Sequence, residues 1–228
     1  MQVQIDDRPS YAIAKVGLDP GEEIVAEGGA MVAMTDGFEL ETKARGGFLK
    51  SMARSTFGGE SFFMNTFRAP PAGGTVRLAP ALPGDMRVTE LTGERLMVQS
   101  GGYIASSPSL EVETKWGGAK TFFSSEGLIM LRISGTGTLI TAAYGAIEEV
   151  VLGPGEKFTV DTGHLVTFTE DIGFKVRKVG GWKSTFFSGE GLVVDLTGPG
   201  TLTLQTRSQD AFLSWLIPQL PSQSASSA

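Results

Sequence analysis

The chain has 228 residues, 41% of them hydrophobic, which supplies a folded core and excludes a disordered composition. Its net charge of −6 argues against general nucleic-acid binding, which depends on neutralising phosphates with lysine and arginine. The absence of cysteine excludes disulfides, thiolate metal sites and a cysteine nucleophile.

The first ten residues are polar and lack the charged-then-apolar pattern of a secretion signal. No apolar run approaches the roughly 18 to 20 residues needed to cross a bilayer. We therefore expect a cytoplasmic protein. Thirty-one glycines and eleven prolines imply many tight turns, which are typical of short strands joined into an all-β fold.

Three sequence landmarks recur in the same order along the chain. The first is a Pro-Gly turn followed by an acidic residue, at Pro20, Pro83 and Pro154. The second is a phenylalanine before a Gly/Ser turn and a glutamate, at Phe57, Phe123 and Phe187. The third opens a strand with Gly-Thr, at Gly74, Gly137 and Gly200, which are 63 residues apart. This spacing predicts three repeats of about 63 residues, covering residues 11–79, 80–145 and 146–207.

Each repeat shows the hydrophobic patterns of strands. Residues 165–169, 174–179 and 95–99 read as strands, and 201–206 alternate with period two, which predicts a strand with one wet face. Residues 128–133 are almost continuously apolar, as in a strand covered on both sides. We expect five or six strands per repeat, closing around a pseudo-threefold axis into one β-sandwich or barrel-like domain over residues 1–207, because closure leaves fewer exposed sheet edges.

The C-terminal segment 208–220 has the signals of a short helix. Ser208 is a suitable N-cap and Pro218 stops the helix. Phe212, Trp215 and Leu216 then share one face. That face packs either on the parent domain or on another subunit or membrane surface. The tail 221–228 is small and polar and is expected to be disordered.

The residue types available exclude most catalytic chemistry. His164 is the only histidine, whereas triad hydrolases need an imidazole base and most zinc sites need more than one ligand of this type. Glu60, Glu126 and Glu190 occupy equivalent places, so carboxylate acid–base chemistry stays open. Each follows an aromatic in a Gly/Ser turn, where a glutamate can simply accept backbone N–H bonds. We therefore expect no catalytic residue, no cofactor and no metal.

The cations are clustered at one position of each repeat. Segments 43–54, 115–120 and 175–183 hold ten of the nineteen Lys and Arg residues and no Asp or Glu. If the repeats close as predicted, these segments form a cationic rim that would attract an anionic partner. The alternative is that the lysines are ordinary solvated strand residues. The rim residues, with two of the tryptophans among them, are Lys43, Arg45, Lys50, Arg54, Lys115, Trp116, Lys120, Lys175, Arg177, Lys178, Trp182 and Lys183.

Several motifs resemble a prokaryotic family related to the fungal mitochondrial-biogenesis protein called altered inheritance of mitochondria 24. They are residues 57–65, Leu78-Ala79-Pro80 with Pro83-Gly84-Asp85, residues 187–192, and the ending 212–221. The resemblance implies a fold grouped with the tryptophan-RNA-binding attenuation protein, three pseudo-symmetric parts and homo-oligomers. It implies no catalytic residues, and the RNA-binding function of the fold's namesake does not transfer.

Together these observations favour a non-catalytic, oligomer-forming scaffold or interaction protein. The first alternative is a module that binds an anionic partner, such as a lipid surface, a nucleic acid or an acidic protein, through the cationic rim. Of these, the acidic composition disfavours nucleic acid, and contact with a membrane would be peripheral. The second alternative is an enzyme that uses Glu60, Glu126 and Glu190.

Overall fold

A computed structural model of the chain describes residues 1–43, 64–113, 128–179 and 192–220. These residues form nineteen strands, one short C-terminal helix and three single turns of 3-10 helix. The strands are β1 (Gln2–Asp6), β2 (Ile13–Leu18), β3 (Glu23–Glu27), β4 (Met31–Met34), β5 (Glu39–Lys43), β6 (Met64–Arg68), β7 (Gly74–Leu78), β8 (Met86–Thr92), β9 (Leu96–Gln99), β10 (Tyr103–Ser106), β11 (Glu111–Glu113), β12 (Met130–Ser134), β13 (Thr136–Ala142), β14 (Ile147–Leu152), β15 (Lys157–Asp161), β16 (Leu165–Thr169), β17 (Gly173–Lys178), β18 (Leu192–Thr197) and β19 (Gly200–Gln205). The helix α1 spans Gln209–Leu216.

The strands form four sheets in which every named strand pair is antiparallel. Sheet I has the order β1-β2-β7-β4, sheet II β5-β6-β3-β10-β13-β8, sheet III β11-β12-β9-β16-β19-β14, and sheet IV β15-β18-β17. The mostly β composition confirms the predicted fold class. Within the described residues no sheet closes into a barrel, so the predicted closure is not observed there.

Three buried clusters lie between successive sheets, so the core is layered. The first joins sheets I and II, the second joins II and III, and the third joins III and IV. Successive side chains of a strand point to opposite faces of its sheet, so a strand of sheet II contributes to two clusters. In β3, Ile24 and Ala26 pack in the first cluster and Val25 packs in the second. The inner sheets II and III are therefore covered on both faces.

One pairing scheme occurs in residues 13–78, 86–142 and 147–205, which we call stretches 1, 2 and 3. In each stretch the first strand pairs with the sixth, as in β2 with β7, β8 with β13 and β14 with β19. The sixth also pairs with the third. The fifth pairs with the second and with the fourth.

The Pro-Gly landmark lies at different places in this scheme. Gly21 and Gly155 have φ of 75° and sit in the turn between the first and second strands of their stretches. Pro83-Gly84 instead precedes β8, where Gly84 forms an isolated parallel bridge with Gly145. The turn of stretch 2 that corresponds to Gly21 is at Gly93, with φ of 120°. The predicted equivalence of Pro83 with Pro20 and Pro154 was therefore wrong, because one dipeptide serves two different backbone requirements.

Candidate interaction surfaces

Three of the described residues of the predicted cationic rim lie on β17, at one edge of sheet IV. Lys175, Arg177 and Lys178 are exposed there. The Arg177 guanidinium donates from Nε and Nη2 to the two Asp195 oxygens at 2.6 and 3.0 Å. This pairing raises the pKa of Arg177 and, together with the Thr159 hydroxyl, lowers the pKa of Asp195. Arg177 is therefore engaged by a neighbouring carboxylate instead of presenting an unmatched charge.

Most of the predicted cationic rim falls outside the described residues. The gathering of its three segments on one surface therefore stays a prediction. Lys43 ends β5, and nothing further is described of its side chain. The carboxylates Glu60, Glu126 and Glu190 also lie outside the described residues. So do the rim residues Arg45, Lys50, Arg54, Lys115, Trp116, Lys120, Trp182 and Lys183.

The C-terminal helix begins and ends close to its predicted bounds. The Ser208 hydroxyl accepts from the Ala211 amide at 3.4 Å, as an N-cap does. Phe212 is half-buried and meets the Tyr144 ring edge-on, with centroids 6.2 Å apart and planes at 77°. Leu216 is also half-buried, whereas Trp215 is 62% exposed. The predicted face is thus divided: Phe212 packs on the domain and Trp215 stays largely in solvent.

His164 has a structural role in a turn beside this helix. Its Nδ1 lies 2.7 Å from the Gln205 carbonyl oxygen, and Gln205 Nε2 donates to the Gly163 carbonyl at 2.7 Å. These contacts tie the turn to the end of β19. In the described ranges no three His, Asp or Glu side chains are grouped as metal ligands would be.

Arg8 and Asp85 form a bidentate ion pair between the segment before β2 and the segment before β8. Arg8 Nε and Nη2 donate to the Asp85 oxygens at 2.7 and 2.8 Å, and Asp85 is buried. Burial alone would raise the pKa of Asp85. The hydrogen bonds from Arg8 and from the Met86 amide outweigh it, so the pKa of Asp85 is lowered. The buried Asp85 carboxylate therefore depends on the Arg8 guanidinium to stay ionised.

Beside this pair lies an open cleft of about 310 Å³, where the segments that precede and follow the stretches converge. Tyr11, Tyr144 and Arg207 are the large side chains at its wall. The volume is at the lower limit for small-molecule sites. Because its walls come from segments that connect the stretches, we interpret the cleft as a junction of chain segments.

Strand β4 carries an exposed apolar surface that the sequence did not reveal. Met31, Val32 and Met34 are 39%, 56% and 40% exposed, although β4 has the apolar sequence of a core strand. The outer edge of β4 has no partner among the described strands. Strand β4 is as apolar in sequence as the buried strands β10 and β16. It differs from them in its position in the topology, at the edge of sheet I.

These features define an all-β protein of stacked antiparallel sheets, with apolar side chains exposed at a sheet edge and on a terminal helix. The described residues contain no helix with the length or hydrophobicity of a membrane span. The chain belongs to the AIM24 family, described as mitochondrial biogenesis AIM24, whose family model matches residues 3–207.

Two streptococcal proteins illustrate the relationship. An uncharacterized protein of Streptococcus pyogenes is 26% identical over 232 residues, which cover 98% of this chain and 93% of the relative. The crystal structure of a Streptococcus pyogenes protein is similar in fold, with a TM-score of 0.80 at 24% identity over 96% of this chain and 99% of that one. The likeness spans essentially the whole length of both chains.

Proposed function

We propose that this protein is a non-catalytic scaffold that assembles with copies of itself. The observation that carries the proposal is the apolar surface of β4, where three large side chains face solvent at a sheet edge that no described strand pairs with. Exposed apolar strand edges are templates for pairing, and natural proteins usually blunt them with charge, proline or a covering segment. The engagement of His164 by Gln205 supports a structural rather than catalytic use of the only histidine.

The proposal includes an origin for the architecture: stretches 1, 2 and 3 are diverged copies of one six-strand unit. The shared pairing scheme supports this, and so does a register shift at the same place in all three third strands. It falls between Met31 and Ala33, between Tyr103 and Ala105, and between Leu165 and Thr167. A repeated β-bulge is a specific structural feature, because bulges are retained within related folds.

The mass of the purified protein tests self-assembly directly. Light scattering coupled to size-exclusion chromatography, over a hundredfold range of protein concentration, should give the mass of two or more chains of 24.1 kDa. The assembled fraction should rise with concentration by mass action. A mass of one chain at every concentration would contradict the proposal.

A second candidate function is capture of an anionic partner, favoured by the exposed positions of Lys175 and Lys178 on the edge strand β17. Binding to vesicles containing anionic lipid should weaken as salt rises and should fall on Lys175→Glu, because the attraction is electrostatic and screened. Lys15→Glu, at an exposed position on strand β2 of sheet I, is the matched charge control. Equal binding by both variants and the parent protein would exclude β17 as the site.

A further inference from the structure

Two strand pairs join neighbouring stretches, and both follow one rule. β10 of stretch 2 pairs with β3 of stretch 1, and β16 of stretch 3 pairs with β9 of stretch 2. In each case the third strand of a stretch pairs, antiparallel, with the second strand of the preceding one. These joints build sheets II and III, the two six-stranded sheets.

The rule leaves two strand edges without a partner. β4 is the third strand of stretch 1, and no stretch precedes it. β15 is the second strand of stretch 3, and no stretch follows it. Among the described strands, β4 is bonded only to β7 and β15 only to β18. The chain therefore presents the two complementary halves of one further joint.

The side chains of β4 correspond to side chains that are buried in the inner sheets, such as Ile104, which lies in the cluster between sheets I and II. The shared bulge places Val32 at the position of Ile104 and Val166. Val32 is 56% exposed, whereas Ile104 and Val166 are each 1% exposed. All three are β-branched and apolar, so the residue type suits a covered position in each stretch. Leaving such side chains in water is unfavourable, and a second copy that continues the stack of sheets would cover them as the inner sheets are covered.

Strand β15 is covered on one face only: Val160 is buried, whereas Thr159 on the other face is exposed and its hydroxyl donates to Asp195 at 2.8 Å. The internal registers place Ser106 opposite Val25 and Phe168 opposite Met97. Val25 and Met97 are buried. Their counterpart on β15, Thr159, is exposed.

We infer that β15 of one copy of this chain pairs antiparallel with β4 of a second copy. The inference rests on the proposed self-assembly and names its surfaces. The register of the internal joints, carried over, sets Ala33 opposite Val160, Met34 opposite Thr159 and Thr35 opposite Phe158. Sheet IV of one copy then continues into sheet I of the next. The contact is head-to-tail, so successive copies form a ring if the rotation closes and a filament if it does not.

Engineered cysteines test the register, because the natural chain contains none. Met34→Cys and Thr159→Cys are placed on separate copies, which are purified, mixed and mildly oxidised. Residues directly opposite across strands have Cβ atoms about 4.5 to 5.5 Å apart, close to disulfide geometry, whereas diagonal neighbours are about 7 to 8 Å apart. We expect covalent dimers in the mixture and at least tenfold fewer from either variant alone. Pairing Met34→Cys with Lys157→Cys is the off-register control and should also crosslink poorly.

A charge placed on the edge gives an independent measurement. Val32→Lys should weaken self-association at least tenfold, because lysine on a strand edge opposes pairing. Val151→Lys is the matched control, since Val151 is an exposed valine on the edge strand β14 of sheet III, a sheet that contains neither β4 nor β15. It should leave the assembly mass unchanged. Far-UV circular dichroism of each variant verifies that the fold is retained.

The outcomes separate this inference from the proposed function. Oligomeric parent protein without the mixed disulfide, or with equal effects of Val32→Lys and Val151→Lys, would overturn the β4–β15 joint and leave self-assembly standing. A parent protein that is monomeric throughout would overturn both. A doubly substituted chain that crosslinks within itself at high dilution would assign the two edges to the same copy, and the second copy would be wrong.

Discussion

A side chain on Gly84 would collide with the backbone of Ala143: a Cβ at Gly84 would lie 1.8 Å from the Ala143 carbonyl oxygen. The approach is imposed by the parallel bridge between Gly84 and Gly145 and by the Asp85 amide, which donates to the Gly145 carbonyl at 2.8 Å. Gly84 therefore permits the contact between the segments that introduce stretches 2 and 3.

Substitution of this glycine should be strongly destabilising. Gly84→Ala is expected to lower the free energy of unfolding by about 3 kcal/mol or more, because backbone must move to relieve the clash. Chemical denaturation followed by circular dichroism measures the loss. Gly101→Ala is the control, since no heavy atom lies within 4 Å of its added Cβ, and it should change stability by less than about 0.5 kcal/mol. Equal effects at both positions would contradict the close approach.

The Arg8–Asp85 pair should make stability depend on pH. Arg8→Ala leaves Asp85 buried without its guanidinium, which is expected to cost about 2 kcal/mol at neutral pH. Folding lowers the pKa of Asp85, so the ionised Asp85 carboxylate stabilises the folded protein. This stabilisation is fully present above the pKa of Asp in the unfolded chain, near 3.9, and is lost as pH falls through the pKa of Asp85 in the folded protein. The difference between parent and variant should therefore shrink below about pH 4.

Arg177→Ala is the matched control for that experiment. Its guanidinium makes the same two-point contact, but with Asp195 at the surface, where water replaces the lost bonds. Its removal should leave stability nearly unchanged. A pH-independent difference between Arg8→Ala and the parent would show that Asp85 does not carry the effect.

The hydroxyls of Thr167 and Thr203 form a buried pair, 2.7 Å apart. Thr167→Val removes one partner and is expected to cost about 1 to 2 kcal/mol, because the Thr203 hydroxyl stays buried and unsatisfied. The double variant with Thr203→Val should recover most of that loss. A double-mutant cycle by denaturant unfolding measures the coupling, and additive losses would contradict it.

Phe212 and Trp215, on the same face of α1, should contribute unequally to stability in solution. Phe212→Ala is expected to lower stability by about 1 to 2 kcal/mol and to speed hydrogen exchange in α1, because it removes the contact with Tyr144. Trp215→Ala should cost less than about 1 kcal/mol, since Trp215 is largely exposed. Equal losses would mean that Trp215 is covered in solution, as docking on another subunit would require.

Local signals predicted the elements of this chain well. The strand Leu165–Thr169 is observed with the bounds expected from its alternation. Ser208 caps α1 as its residue type and position predicted. Family membership was also recognisable from short motifs and is confirmed over residues 3–207. These successes depend on interactions between residues close in sequence, which a pattern records directly.

Contacts between distant segments were harder to predict. Thr203 was expected on a wet face of its strand, but it is buried against Thr167, because a threonine pair can satisfy its own hydroxyls inside a sheet. The Pro-Gly at Pro83 was assigned to the same turn as Pro20, although Gly84 serves a close approach to Gly145. The exposure of Val32 depends on a partner strand that its own sequence does not specify.

The sharing of sheets between stretches has a consequence for synthesis on the ribosome. Strands β3 and β6 of sheet II are translated early, but their sheet is completed only when β10 and β13 have emerged. Until then the pairing edge of β3 and the apolar face around Val25 are open in the nascent chain. Each inner sheet can therefore be completed only after the following stretch has been synthesised, and an incomplete sheet of this kind would expose apolar surface that chaperones bind.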